Sequence, residues 1–143
     1  MPIRTKRWND PVEPEDGYRL LVCRYRPRGV KREAEPWDAW CIALSPSVEL
    51  HAAAYGKNDA ERLAWDEYER RFLDEMGRQR YWIESFARRV RSGQTITLLC
   101  SSACQDPARC HRTILASLID EAAFPRPAPR PSPKVVRRVT GRG

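Results

Sequence analysis

The sequence contains no apolar run approaching the roughly 18 residues that a membrane-spanning helix requires, so no membrane span is expected. Its opening, Met1-Pro2-Ile3-Arg4-Thr5-Lys6-Arg7-Trp8, has no apolar segment of the signal-peptide kind, and a cytoplasmic protein is the expectation. Neither G-x-x-x-x-G-K-[ST] nor G-x-G-x-x-G occurs, which argues against a phosphate-loop nucleotidase or a dinucleotide cofactor site. There is no C-x2-C knuckle and no internal repeat. Residues 125–143 hold no acidic residue at all.

What is present suits one domain: 143 residues, 41% hydrophobic and 31% charged, enough to fill a single core. The net charge of +7 is unevenly placed. Arg126, Arg130, Lys134, Arg137, Arg138 and Arg142 take six of the 26 basic residues, which leaves twenty against 19 acidic ones in residues 1–124. Within that nearly neutral part, Arg19, Arg24, Arg26, Arg28, Lys31 and Arg32 follow one another with no carboxylate between them, while Asp and Glu crowd residues 59–84. From Pro125 to Pro133 proline alternates with other residues, so 125–143 is expected to be a disordered basic tail that makes weak nucleic-acid contacts. Residues 1–124 are then the folded unit.

Hydrophobic patterning supplies the elements. Ile3–Trp8 suits a short strand, and the apolar run Arg19–Cys23 suits a strand buried on both faces. The basic segment 24–32, broken by Pro27 and Gly29, reads as a loop. Pro36–Leu44 suits a short helix with Pro36 in its first turn, ended by Ser45-Pro46. A longer helix starting at Asn58 places Trp65, Tyr68, Phe72 and Met76 on one face and stops at Gly77. The next carries Trp82, Ile83, Phe86, Ala87 and Val90, and ends at Ser92-Gly93. Thr95–Cys100 is a buried strand, and Asp106-Pro107 reads as the cap and first turn of a helix burying His111, Ile114, Leu115, Leu118, Ile119 and Ala122. Strands separated by helices give a small α/β domain with a mainly parallel sheet, whose ligands bind beyond the carboxyl ends of the strands.

Two of those ends are chemically loaded. One strand runs into Arg24, Tyr25, Arg26, Pro27 and Arg28, and the other, ending at Cys100, into a loop that leads to Cys110-His111-Arg112. Parallel strands put both loops on one edge, where Arg24, Arg28 and Arg112 are expected to hold an anion. Cys100 or Cys110 is then the candidate thiol, and His111 the group that orients it or exchanges a proton. Each has a plainer reading: a cysteine ending a buried strand is often only a small core residue, and a histidine on an apolar stripe is often a hydrogen-bonded core residue. Cys41 reads as core, and His51, in an apparent loop with no motif partner, has no assigned role. Five cysteines, an odd number, are expected to be reduced. The spacing Cys100-x3-Cys104-x5-Cys110-His111 offers four zinc-type ligands, but adjacent Cys110 and His111 make an awkward pair for one ion, and no metal or cofactor is expected. The order strand, cysteine, loop, helix is shared in outline with thiol phosphatases. Cys100 to Arg112 is too long for their anion loop, and Cys104 to Arg109 is one residue short.

Asp16-Gly17-Tyr18-Arg19-Leu20-Leu21-Val22, Arg24, Pro27-Arg28-Gly29, Leu44-Ser45-Pro46-Ser47-Val48-Glu49-Leu50, Leu98-Leu99-Cys100 and Cys110-His111-Arg112 occur in one order across about residues 3–120. In these pieces the chain resembles the domain of unknown function 488 family, in its YeaO-like branch. The resemblance implies a small bacterial cytosolic α/β protein with no established activity. It also marks departures, since members of that family usually carry Asp where this chain has Cys23, and an aliphatic-Trp pair where it has Tyr25-Arg26. Two functions fit the residues: a pocket for a small phosphorylated or nucleotide-like ligand, with or without thiol chemistry, and a non-catalytic nucleic-acid-binding or protein-interaction module using the basic loop and tail.

Overall fold

Ile96–Cys100, rich in β-branched and aliphatic side chains, is buried along its whole length and forms β4, a strand with a neighbour on each side. In the computed structural model, which describes residues 3–56 and 62–127, three further strands complete the sheet: β1 (Ile3–Arg7), β2 (Tyr18–Leu21) and β3 (Ala39–Trp40). The order is β1-β4-β2-β3 and every pairing is parallel, as the sequence pattern implies. Arg4 and Arg19 flank Thr97, and Lys6 flanks Leu99 as Leu21 does from the other side. All four strands therefore end on the same edge.

The period-2 alternation sorts the two faces. Leu20, Val22, Ile96 and Leu98 meet Tyr68, Phe72 and Met76 of α2 (Trp65–Met76), Phe86 and Val90 of α3 (Arg80–Arg91), and Leu115 and Ile119 of α4 (His111–Ala123). Those helical residues recur at spacings of three and four and form the expected apolar stripes. On the opposite face Leu21, Leu99 and Cys23 pack with Trp37, Trp8 and Trp40 in a second, smaller core. Toward the amino end of that face lies Asp16, its side chain 1% exposed. It accepts hydrogen bonds from Lys6 Nζ at 3.0 Å, from the Glu13 backbone N–H at 3.0 Å and from the Arg19 guanidinium, while Arg4 Nη1 stands at 3.3 Å. Gly17 follows with φ +61°, and a Cβ there would lie 2.4 Å from the Thr95 carbonyl oxygen, so only glycine brings the chain onto β4 at this point.

Three expectations are corrected. Pro36–Leu44 is not a helix: Asp38 and Cys41 donate their N–H groups to the Arg19 and Leu21 carbonyls at 2.7 and 2.9 Å, because the open edge of β2 offers backbone partners that local propensity ignores. Only Ile42–Leu44 turns, as one 3-10 turn. His51 is not in a loop but in α1 (Val48–Tyr55), capped by Ser47, whose Oγ accepts from the Leu50 N–H at 3.1 Å, and closed by Gly56 in the left-handed conformation. Asp106 caps as expected, taking the Ala108 N–H at 3.0 Å, but what it caps is the 3-10 turn Pro107–Arg109, and α4 starts only at His111. The expected start at Asn58 and the bulk of the basic tail, 128–143, lie outside the described residues; residues 62–64 are not helical. No helix among the described residues is long and apolar enough to cross a membrane.

Candidate functional site

β2 does not stop dead at Leu21. Val22 still donates to the Leu99 carbonyl at 2.9 Å, carrying Cys23 and Arg24 out beside the end of β4. Beyond Cys100, the Ser101 hydroxyl accepts the Ala103 N–H at 3.1 Å and the Ser101 carbonyl accepts the Cys104 N–H at 3.0 Å. This serine-initiated turn folds the chain back on itself. It returns the Cys104 thiol to 3.3 Å from Cys100 Sγ. The 3-10 turn then delivers Cys110 as the residue capping α4, and the sulfur atoms of Cys100, Cys104 and Cys110 all lie within 4.8 Å of one another.

His111 completes the group. Its Nε2 lies 2.7 Å from the Val22 carbonyl, an acceptor only, so Nε2 carries the proton and Nδ1 keeps its lone pair. That Nδ1 stands 3.9 Å from both Cys100 and Cys110 Sγ. Burial lowers the imidazole pKa and favours the neutral ring, which also meets the edge of Phe72 at 5.4 Å between centroids. A hydrogen bond from Cys100 pulls the Cys104 thiol pKa down, while that same bond raises Cys100, and the contact with Cys100 raises Cys110. Cys104 is also the half-exposed member, with the Tyr55 hydroxyl 3.8 Å from its sulfur.

These groups form the floor of an open cleft of about 750 Å³ at the carboxyl edge of the sheet. Of the residues expected in the site, Arg24, Arg28, Cys100, Cys110 and His111 line it together. Arg112 does not. It is 4% exposed and lies behind the loop, donating from Nη2 to the Cys104 carbonyl at 3.3 Å, with Nε and Nη1 bonded to no described group. It thus anchors the turn that carries Cys104 instead of facing the cleft. Tyr55 and His51 of α1, and Arg109 of the 3-10 turn, line the cleft without having been singled out in the sequence. The cap pair Ser47 and Gly56 was the signal that would have placed α1 and its aromatic residues. His51 stands edge-on to Tyr25 and tilted against Tyr55, with centroids 5.1 and 4.7 Å away, so one wall of the cleft is aromatic.

Comparison with known proteins gives a family and no activity. The chain is 33% identical over 116 residues to the uncharacterized protein YeaO of Escherichia coli, an overlap covering 81% of this chain and 95% of that protein. It is 28% identical over 118 residues to the uncharacterized proteins Rv3073c of Mycobacterium tuberculosis and Mb3100c of Mycobacterium bovis, covering 82% of this chain and 93% of each. No solved structure gives a significant match. Residues 3–123 match the family model described as the active DUF488-N3 subclade, and with that span the chain belongs to the DUF488 family and is YeaO-like.

Proposed function

We propose that the cleft binds a small anionic molecule carrying a phosphate or similar group, that Arg24 and Arg28 hold that group, and that the cysteine and histidine floor is the chemistry it meets. The observation that carries this is charge. Arg24, Arg26, Arg28, Arg62 and Arg109 line the cleft, and Asp106 is the single carboxylate among the described lining residues. Arg26 is already engaged by Glu35 at 2.6 Å and Arg62 by the Ala54 carbonyl at 3.1 Å, whereas Arg24, Arg28 and Arg109 form no ion pair among the described residues. Uncompensated guanidinium groups around a concave, half-apolar site favour a multivalent anion, for which their forked donors are well shaped. Arg112 adds its charge from behind the loop.

Titration of the reduced protein with inorganic phosphate and with a nucleoside monophosphate tests the reading, using the fluorescence of Trp8 and Trp65, which line the cleft. Saturable binding weakened tenfold to a hundredfold by Arg24→Ala or Arg28→Ala is expected, the loss of one charge-assisted hydrogen bond worth about 1.5–3 kcal/mol. Binding of duplex DNA that falls about a thousandfold between 50 and 200 mM salt and ignores both substitutions would replace the pocket with a phosphate-backbone surface.

A further inference from the structure

We propose that Cys100, Cys104 and Cys110, with Nδ1 of His111, form a binding site for a thiophilic divalent cation of the zinc class. The proposal does not rest on the anion reading, since none of its ligands is a guanidinium. The linear spacing argued against a metal because Cys110 and His111 are neighbours. In the fold, however, Cys110 is a single extended residue between the 3-10 turn and α4, His111 begins the helix, and their ligand atoms converge to 3.9 Å.

Tetrahedral zinc with bonds of about 2.3 Å to sulfur and about 2.05 Å to nitrogen needs sulfur atoms about 3.8 Å apart and sulfur to nitrogen about 3.6 Å. The three sulfurs already lie within 4.8 Å of one another, with Cys100 and Cys104 at 3.3 Å. Nδ1 stands 3.9 Å from two of them. Shifts of about an ångström or less bring the three sulfurs to tetrahedral spacing, and Nδ1 already stands within a few tenths of an ångström of its required distance from Cys100 and Cys110.

The surroundings suit a ligand set and not merely a packed cluster of thiols. A metal-binding histidine is commonly fixed by donating its other ring N–H to a carbonyl, which sets the tautomer and aims the lone pair. Here Nε2–H is held by the Val22 carbonyl at 2.7 Å. Cys104 is held by its own turn and by Arg112 from behind, and Tyr55 lies over its sulfur. Cys100, Cys110 and His111 are 2%, 3% and 6% exposed, while half-exposed Cys104 opens to the cleft and gives the ion a way in. Three thiolates and a neutral imidazole make a soft donor set that selects zinc over magnesium or calcium. The thiol protons still present are released to solvent as the metal binds.

Cobalt(II) reports this geometry directly. The full chain, reduced with a phosphine and stripped of metal, is titrated with cobalt chloride and then with zinc chloride. One equivalent of cobalt is expected to give the visible bands of a tetrahedral ion and a thiolate charge-transfer band in the near ultraviolet, both bleached by one equivalent of zinc. Cys104→Ser, at a half-exposed loop position, is expected to lower the charge-transfer intensity by about a third and to weaken cobalt binding at least tenfold, a factor in the range seen when a supporting metal-site residue is lost. Cys41→Ala, altered in the separate main core, is expected to leave both unchanged. Absence of tetrahedral bands in the wild-type chain, or identical spectra and affinity in Cys104→Ser, overturns the site. Either result leaves phosphate binding by Arg24 and Arg28 to be judged by its own titration.

Discussion

Asp16→Asn keeps the size of a buried side chain and removes the buried negative charge that Arg4, Lys6 and Arg19 share, leaving Arg4 and Lys6 their contacts with Glu13 and the Arg19 guanidinium with no carboxylate among the described residues. Of those cations Arg19 suffers most, because its side chain is 5% exposed and has no route to bulk water, whereas Lys6 at 12% and Arg4 at 32% can rehydrate. Removing one partner of a buried pair typically costs about 3–5 kcal/mol, and partial rehydration of the two outer cations lowers the figure here to about 2–3 kcal/mol. For a domain of this size each kcal/mol moves the melting temperature by about 3–4 °C, so a fall of about 6–12 °C is expected by circular dichroism at pH 7. The pH dependence has a definite sign. Burial alone raises the Asp16 pKa, but hydrogen bonds from Lys6, the Glu13 N–H and Arg19 outweigh it, and the folded value lies below the ordinary one. The stabilisation is therefore full above the unfolded pKa of about 3.9 and is lost as pH falls through the lower folded value. The gap between wild type and Asp16→Asn narrows below about pH 4. A gap under about 2 °C at pH 7, or one that widens in acid, would refute the reasoning.

Gly17→Ala forces a Cβ to 2.4 Å from the Thr95 oxygen at a positive φ, and urea unfolding is expected to show a loss of about 2 kcal/mol or more; a neutral outcome means the β2 entry differs from that described. Ser47→Ala removes the α1 cap and the hydroxyl hydrogen bond to Glu75 of α2 while keeping the bond from the Ser47 backbone N–H to the same carboxylate, with about 1–2 kcal/mol lost and faster amide exchange confined to the first turn of α1. Uniform acceleration across all helices would mean that α1 has no independent cap.

How much of this was readable beforehand varied with the range of the forces involved. The stripes Trp65-Tyr68-Phe72-Met76 and Phe86-Ala87-Val90, and the apolar run Ile96–Cys100, are periodic signals within one segment, and α2, α3 and β4 appear where they point. Val48–Tyr55 carries no apolar stripe, so α1 was visible only in its caps. The two residues of β3 are strand because β2 lies beside them, a fact absent from their own sequence. At the site, parallel strand ends sufficed to bring Arg24 and Arg28 to the cleft that also holds Cys100 and His111. The place of Cys104 depended on a turn closed by Ser101, and that of Arg112 on which side of α4 meets the loop, so linear spacing could not supply either one.

An open parallel sheet has two borders, and each is a template on which another chain can add a strand and begin to aggregate. The border at β3 is only two residues long, too short to register a newcomer. The border at β1 is longer, but it carries Arg4, Lys6 and Arg7 with all three side chains partly solvated, and an incoming strand would have to strip water from them. The same cations that pair with Asp16 and Asp10 thus also stand along the rim of the sheet, where their charge and hydration disfavour the addition of a strand.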